Sequence, residues 1–155
     1  MEKVLGSGKG IALDIKIGGN DQKGFKLFKQ QVDLLMPKDS LVTYSGGTFS
    51  FLDEIESSPQ KLVVFNVDES NIEDYFQRAE NWIRGGVVGR GATVEIGNNV
   101  TDEILSFNSS KGVDFPINVW TINRPKDALS VIKKGGRIII TTNNVTLINQ
   151  ICYST

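Results

Sequence analysis

Short runs of β-branched residues alternate with helical patterns along most of this chain, and that alternation is the strongest constraint on its fold. The runs that predict strands are 3–5, 11–17, 41–44, 62–67, 93–96, 117–122 and 137–142. Several of them are continuously apolar, which is typical of parallel strands buried on both faces. The pattern predicts an α/β, Rossmann-like domain with a mostly parallel, doubly wound sheet of six or seven strands and helices on both faces. The alternative is an α+β domain with some antiparallel pairing.

The helical segments have recognisable ends. Helices are predicted at 25–35, before Pro37, and at 70–84, where Ser70 and Glu73 form a capping-box pattern and Gly85-Gly86 follows. Further helices are predicted at 99–108, 125–134 and 145–152. Pro125 suits the first residue of its helix, because its missing N–H has no partner within the helix there.

Composition excludes several classes of site. The chain has 155 residues and no histidine, which excludes Ser-His-Asp and Cys-His catalysis and histidine-ligated metals. The single cysteine, Cys152, excludes a disulfide within one chain and a multi-cysteine zinc site. The length fits one domain, 1–155. A predicted strand so near the start suggests either a domain excised from a larger protein or a very compact natural one.

Charge and hydropathy point to a soluble domain. The net charge of −1 does not require a nucleic-acid partner. No apolar run approaches the ~20 residues of a membrane helix, and the N-terminus has no signal-peptide layout. A protein without a membrane segment, active in the cytoplasm, is therefore expected.

A glycine-rich segment near the start predicts a ligand site. Gly6, Gly8 and Gly10 precede the apolar run that contains Asp14. Glycines let a ligand approach the main chain, and an acid after the next strand suits ribose hydroxyls. A dinucleotide fingerprint needs a full helix between glycines and acid, which the short spacer here excludes, and no phosphate-binding P-loop motif occurs.

The segments 4–10, 118–125, 128–129 and 134–140 resemble class I, Rossmann-like S-adenosylmethionine-dependent methyltransferases. The short spacer before Asp14 is similar to shortened methyltransferase-like domains at the C-termini of bacterial polymorphic toxins. That resemblance implies S-adenosylmethionine or a related adenosine compound as ligand. It also implies a cognate immunity protein as partner and a place within a secreted toxin. The family usually has an acid just before the glycines, where this chain has Val4 and Leu5.

The resemblance also implies roles for individual residues. The methionine part of the cofactor would lie against Gly6, Ser7, Gly8 and Gly10, and its ribose would bind Asp14. The substrate or the methylated group would lie at the catalytic loop formed by Asn123, Arg124 and Pro125. Methyl transfer by in-line displacement depends on positioning more than on a strong base, so the absence of histidine is compatible with it.

Acids at strand ends support a second hypothesis. Asp68 and Glu69 follow a predicted buried strand, at the edge of a parallel sheet where ligands bind, and Asp68 is a further predicted cofactor contact. Together with Asp14 and Glu95 these acids could hold a metal for cleavage of tRNA or DNA, which carboxylates alone can support. A third hypothesis is a non-catalytic binding module. For Trp82 and Trp120, core packing is expected.

Overall fold

The computed structural model describes residues 10–36 and 40–154, in which six strands alternate with six helices. The strands are β1 (Ile11–Ile15), β2 (Val42–Gly46), β3 (Lys61–Asn66), β4 (Arg90–Glu95), β5 (Ile117–Trp120) and β6 (Ile138–Ile140). The helices are α1 (Gln22–Leu35), α2 (Phe49–Asp53), α3 (Ile72–Gly85), α4 (Val100–Lys111), α5 (Pro125–Ile132) and α6 (Leu147–Ser154). The strand predicted at 3–5 lies outside the described residues.

All six strands are parallel and follow one another in the order β1-β2-β3-β4-β5-β6. The predicted α/β, Rossmann-like fold with a parallel sheet of six or seven strands is confirmed, and the sheet curls into a half-barrel. The arrangement of helices differs from the prediction. A doubly wound sheet reverses its strand order at one point, and this sheet does not. Successive right-handed crossovers in one direction place the connecting helices on the same face.

The core occupies the space between the sheet and this single layer of helices. Tyr44, Phe65 and Val94 point from the strands into it, and Phe25 and Trp82 meet them from helices. Its aromatic rings pack against one another, with the ring centroids of Phe65 and Trp82 5.1 Å apart. Alternate strand residues belong to the opposite, concave face, which carries mostly polar side chains. The sheet is therefore apolar on its convex face and largely polar on its concave face.

The ends of α3 illustrate which local predictions hold. Gly86 ends the helix with a φ of 62°, in the left-handed region that favours glycine, as predicted. The start of the helix differs, because Asn71 rather than Ser70 is its N-cap residue. The Ser70 hydroxyl and main-chain N–H both donate to the Asp68 carboxylate, so Ser70 is not available to cap the helix. Pro125 is at the start of α5, as predicted.

The short helix α2 was not predicted, since five residues are too few for a helical apolar period. Hydrogen bonds from another element stabilise its C-terminal end. The buried guanidinium of Arg90, on β4, donates to the main-chain carbonyls of Leu52 and Ile55 and to the Ser57 hydroxyl. Burial lowers the pKa of Arg90, and the charge of Asp53 partly offsets this. In the part of the chain that is described, no helix is both long and apolar enough to cross a membrane.

Candidate functional site

A groove of about 530 Å³ lies on the concave face and reaches the carboxyl ends of the strands. This is the edge at which parallel α/β sheets and barrels bind ligands, because the loops that follow the strands converge there. The volume falls within the roughly 300–1,000 Å³ of small-molecule sites. The residues that line it include Asp14, Lys16, Thr43, Ser45, Gly47, Thr48, Asn66, Thr93, Asn118, Trp120, Thr121 and Thr141.

The strand register places several of these residues in one row. Ile15 pairs with Gly46, and Gly46 pairs with Phe65, so the residues that follow them, Lys16, Gly47 and Asn66, are neighbours. The row continues through Thr93 and Asn118, since Asn66 pairs with Thr93 and Thr93 with Asn118. An ammonium group, an amide, a hydroxyl and a second amide thus cross the sheet at one level.

Gly47 leaves a gap in this row. A Cβ atom built on it would meet no atom within 4 Å outside its immediate neighbours. Any larger residue would project into that space between the Lys16 and Asn66 positions. The Asn66 side-chain amide has no hydrogen-bond partner among the described residues and is half-buried in the groove. A small ligand can therefore reach the main chain at Gly47 and find a free amide beside it.

Charge in the groove is confined to one pair. The Nζ atom of Lys16 lies 3.3 Å from Oδ2 of Asp14, and both side chains are more than half exposed. Exposed pairs of this kind contribute about 0–1 kcal/mol to stability. The pair is consequently weak enough for Lys16 to exchange Asp14 for an anionic ligand.

The floor of the groove is a hydrogen-bond chain that runs from Thr141, just after β6, through β5 to β4. The Thr141 hydroxyl donates to Oδ1 of Asn118 at 2.8 Å, and Nδ2 of Asn118 donates to the Thr93 hydroxyl oxygen at 3.1 Å. Thr93 is 3% exposed, whereas Asn118 is half-buried. Both polar atoms of the Asn118 amide are thereby engaged, which fixes its orientation.

Trp120 lines the groove and is 37% exposed, so the expected core packing is wrong for this residue. The peptide bond that follows it, to Thr121, is cis. For Trp82 the expectation is confirmed, because it is 7% exposed and belongs to the core. Trp120 thus presents aromatic surface to a ligand at the rim of the groove.

The predicted cofactor residues are placed as follows. Asp14 lines the groove, at the carboxyl end of β1. Gly10 lies at the amino end of the same strand, where its added Cβ would come within 3.2 Å of the Leu41 main chain, and it does not line the groove. Gly6, Ser7 and Gly8 lie outside the described residues, so the glycine motif as a whole stays a prediction.

The predicted catalytic loop follows β5 and is engaged in structural contacts. The Asn123 side-chain oxygen accepts hydrogen bonds from the Thr142 hydroxyl and the Asn143 main chain, which ties this loop to the one after β6. Arg124 is bidentate with Asp127, at 2.7 and 3.1 Å. Pro125 is the first residue of α5. None of Asn123, Arg124 and Pro125 is among the residues that line the groove.

The acids of the metal hypothesis do not converge in the described part of the chain. Asp68 and Glu69 are exposed after β3, and Glu95 is exposed at the end of β4. Hydrogen bonds from the Ser70 hydroxyl and main chain hold the pKa of Asp68 below its ordinary value. Among the described residues, no group of three or more Asp, Glu, His or Cys side chains is placed to hold a metal ion.

Most residues of the groove are not predicted from the sequence. Lys16, Gly47, Asn66, Thr93 and Asn118 were missed. The sequence does contain a pattern that indicates them. Polar and apolar residues alternate in Thr43-Tyr44-Ser45 and in Asn118-Val119, which is typical of a strand with one polar face.

Comparison with known proteins gives a structural relative. No family model and no curated protein matches the chain. A solved structure of a phosphodiesterase from Oleispira antarctica, in complex with the product sn-glycerol-3-phosphate, superimposes with a TM-score of 0.74 at 15% identity. The match covers 98% of this chain and 58% of that one. At this identity the likeness establishes a shared fold, and this chain spans little more than half of the relative's length.

Proposed function

We propose that this domain binds a small phosphate ester of the glycerophosphate class in the concave groove. The observation that carries the proposal is the row Lys16–Gly47–Asn66, which combines one cation, one open main-chain position and one unpartnered amide at the carboxyl edge of the sheet. The structural relative, a phosphodiesterase in complex with its product sn-glycerol-3-phosphate, supports the choice of ligand.

Each part of such a ligand has chemical partners in the groove. The ammonium group of Lys16 would donate to the phosphate, and such charge-assisted hydrogen bonds are the strong ones. The Asn66 amide would donate to a second phosphate oxygen across the gap at Gly47. The hydroxyls of the polyol part would face the Thr43 and Ser45 side chains, and its carbon skeleton would contact the Trp120 ring.

The proposal is one of binding, with phosphodiester cleavage as the activity to test next. Cleavage with a metal was the second hypothesis from the sequence, and in the described residues its acids do not form a metal-binding group. Among the described residues, Asp14 is the carboxylate that lines the groove, so it would accept a hydrogen bond from a ligand hydroxyl there.

Isothermal titration with sn-glycerol-3-phosphate, inorganic phosphate and glycerol tests the proposal. Phosphate-bearing ligands should bind and glycerol should not. Lys16→Gln should weaken binding about tenfold, as expected for loss of one exposed charge-assisted hydrogen bond. Lys23→Gln is the matched control, because Lys23 is an exposed lysine on α1 that does not line the groove. Absence of phosphate binding by folded wild-type protein would refute the proposal.

An adenosine ligand, S-adenosylmethionine included, is the second candidate. The observation that favours it is that Asp14 and Trp120 line the same groove, so an acid for ribose hydroxyls and a ring for a base are both present. The same titration with S-adenosylmethionine and S-adenosylhomocysteine separates the two candidates. Methyl transfer, the toxin context and the immunity partner stay predictions from the sequence.

A further inference from the structure

We infer that Asn118 is a positioning residue that fixes the Thr93 hydroxyl as a hydrogen-bond donor to a phosphate oxygen in the groove. This inference rests on the proposed function and deepens it, because it specifies what kind of ligand atom the centre of the groove accepts. The hydrogen-bond chain from Thr141 through Asn118 to Thr93 supports it.

Each hydroxyl has one hydrogen to donate, so the direction of the chain decides where that hydrogen points. Thr141 uses its hydrogen on Oδ1 of Asn118. The Asn118 amide then directs Nδ2 at the Thr93 oxygen. That oxygen already accepts one hydrogen bond, and its own hydrogen points elsewhere. No hydrogen bond donated by the Thr93 hydroxyl occurs within the described residues.

The free hydrogen of Thr93 lies beside the free amide of Asn66, since these two residues are paired on adjacent strands. Thr93 is 3% exposed, and both residues line the groove. A buried hydroxyl that finds no acceptor loses hydrogen-bond energy, so the groove favours a ligand that brings an acceptor to this point. An ionised phosphate oxygen, which can only accept and carries negative charge, meets that requirement better than a polyol hydroxyl.

Thr93→Val removes the hydroxyl while keeping the shape of the side chain. We expect it to weaken sn-glycerol-3-phosphate binding about tenfold, the effect of one hydrogen bond to a charged group. Thr93→Ser keeps a hydroxyl and should restore most of the affinity. Thr101→Val is the matched control, because Thr101 is a buried threonine on α4 outside the groove, and it should leave the affinity unchanged.

Asn118→Asp tests the positioning role itself. A carboxylate accepts from both threonines, so it would turn the Thr93 hydrogen away from the ligand and add a negative charge. Only the charge effect can persist in a Thr93→Val background. We therefore expect Asn118→Asp to weaken binding several-fold more in wild-type protein than in Thr93→Val protein, which a double-mutant cycle measures.

The outcomes separate this inference from the proposed function. If wild-type protein binds sn-glycerol-3-phosphate and Thr93→Val binds it equally well, the Thr93 hydroxyl does not donate to the ligand, and this inference alone is overturned. Equal effects of Asn118→Asp in both backgrounds would likewise overturn it. If folded wild-type protein binds no phosphate ligand, the proposed function fails and this inference with it.

Discussion

The Nζ atom of Lys16, just after β1, lies 3.3 Å from Oδ2 of Asp14, two residues earlier in the chain. The pair distinguishes the two candidate ligands. A phosphate group at Lys16 would be repelled by the neighbouring carboxylate, whereas ribose hydroxyls would donate to it.

Asp14→Asn should therefore tighten the binding of inorganic phosphate and sn-glycerol-3-phosphate about two- to fivefold, the scale of one exposed charge interaction. The effect should shrink in high salt, because exposed charges are screened. Isothermal titration at two salt concentrations measures it. Weaker phosphate binding together with lost S-adenosylmethionine binding would instead support the adenosine ligand.

Gly47→Leu should abolish phosphate binding without unfolding the domain. The new side chain would occupy the open space between the Lys16 and Asn66 positions, where an added Cβ meets no atom within 4 Å. Gly18→Leu is the control, since Gly18 is equally open but does not line the groove. Titration of both variants measures binding, and thermal melts show whether they fold. Full binding by Gly47→Leu would show that the ligand binds elsewhere.

Arg90→Met should destabilise the domain by about 3 kcal/mol, because it leaves the buried carbonyls of Leu52 and Ile55 without their donor. Urea unfolding gives this free energy. Arg84→Met serves as the comparison: Arg84 is exposed and hydrogen-bonds only Asn81 among the described residues, so its loss should cost less than about 0.5 kcal/mol. Similar losses for the two variants would contradict the role assigned to Arg90.

Tyr75→Phe should raise the free energy of unfolding by about 1 kcal/mol. The Tyr75 ring is fully buried and its hydroxyl has no partner among the described residues; the same burial raises its pKa. Removing the hydroxyl relieves an unmet hydrogen bond. The Tyr44 ring is also part of the core, but Tyr44 lines a surface cleft in which its hydroxyl can bind water, so Tyr44→Phe should change the free energy of unfolding little. A destabilised Tyr75→Phe protein would show that this hydroxyl has a bound partner.

The sequence predicted the elements of the fold better than their arrangement. Each predicted strand within the described residues exists, because β-branched runs and helix-ending residues such as Gly86 act locally. Strand order depends on which strands each crossover connection brings side by side. The residues of a single strand do not determine its neighbours. In β3 the predicted burial on both faces is confirmed, because the adjacent residues Val63 and Val64 are both fully buried. Thr43, Ser45 and Asn118 give β2 and β5 a polar face instead.

The candidate site was predicted only at Asp14. Its other members, Lys16, Gly47, Asn66 and Thr93, come from separate strand ends that only the parallel register brings together. Single polar residues at strand ends are common, and their spacing along the chain has no fixed pattern. The loop at Asn123 is a predicted catalytic loop only because it resembles that of methyltransferases. Its hydrogen bonds join it to the loop after β6, outside the groove.

The most direct test of the central claim is to follow amide signals by NMR while sn-glycerol-3-phosphate is added. We expect the signals of the Gly47 main-chain amide and of the Asn66 and Asn118 side-chain amides to shift together with one dissociation constant. The signal of the Asn81 side chain, on α3, should not shift. Shifts confined to another surface, or no shifts in the folded protein, would contradict the claim that this groove binds a phosphate ester.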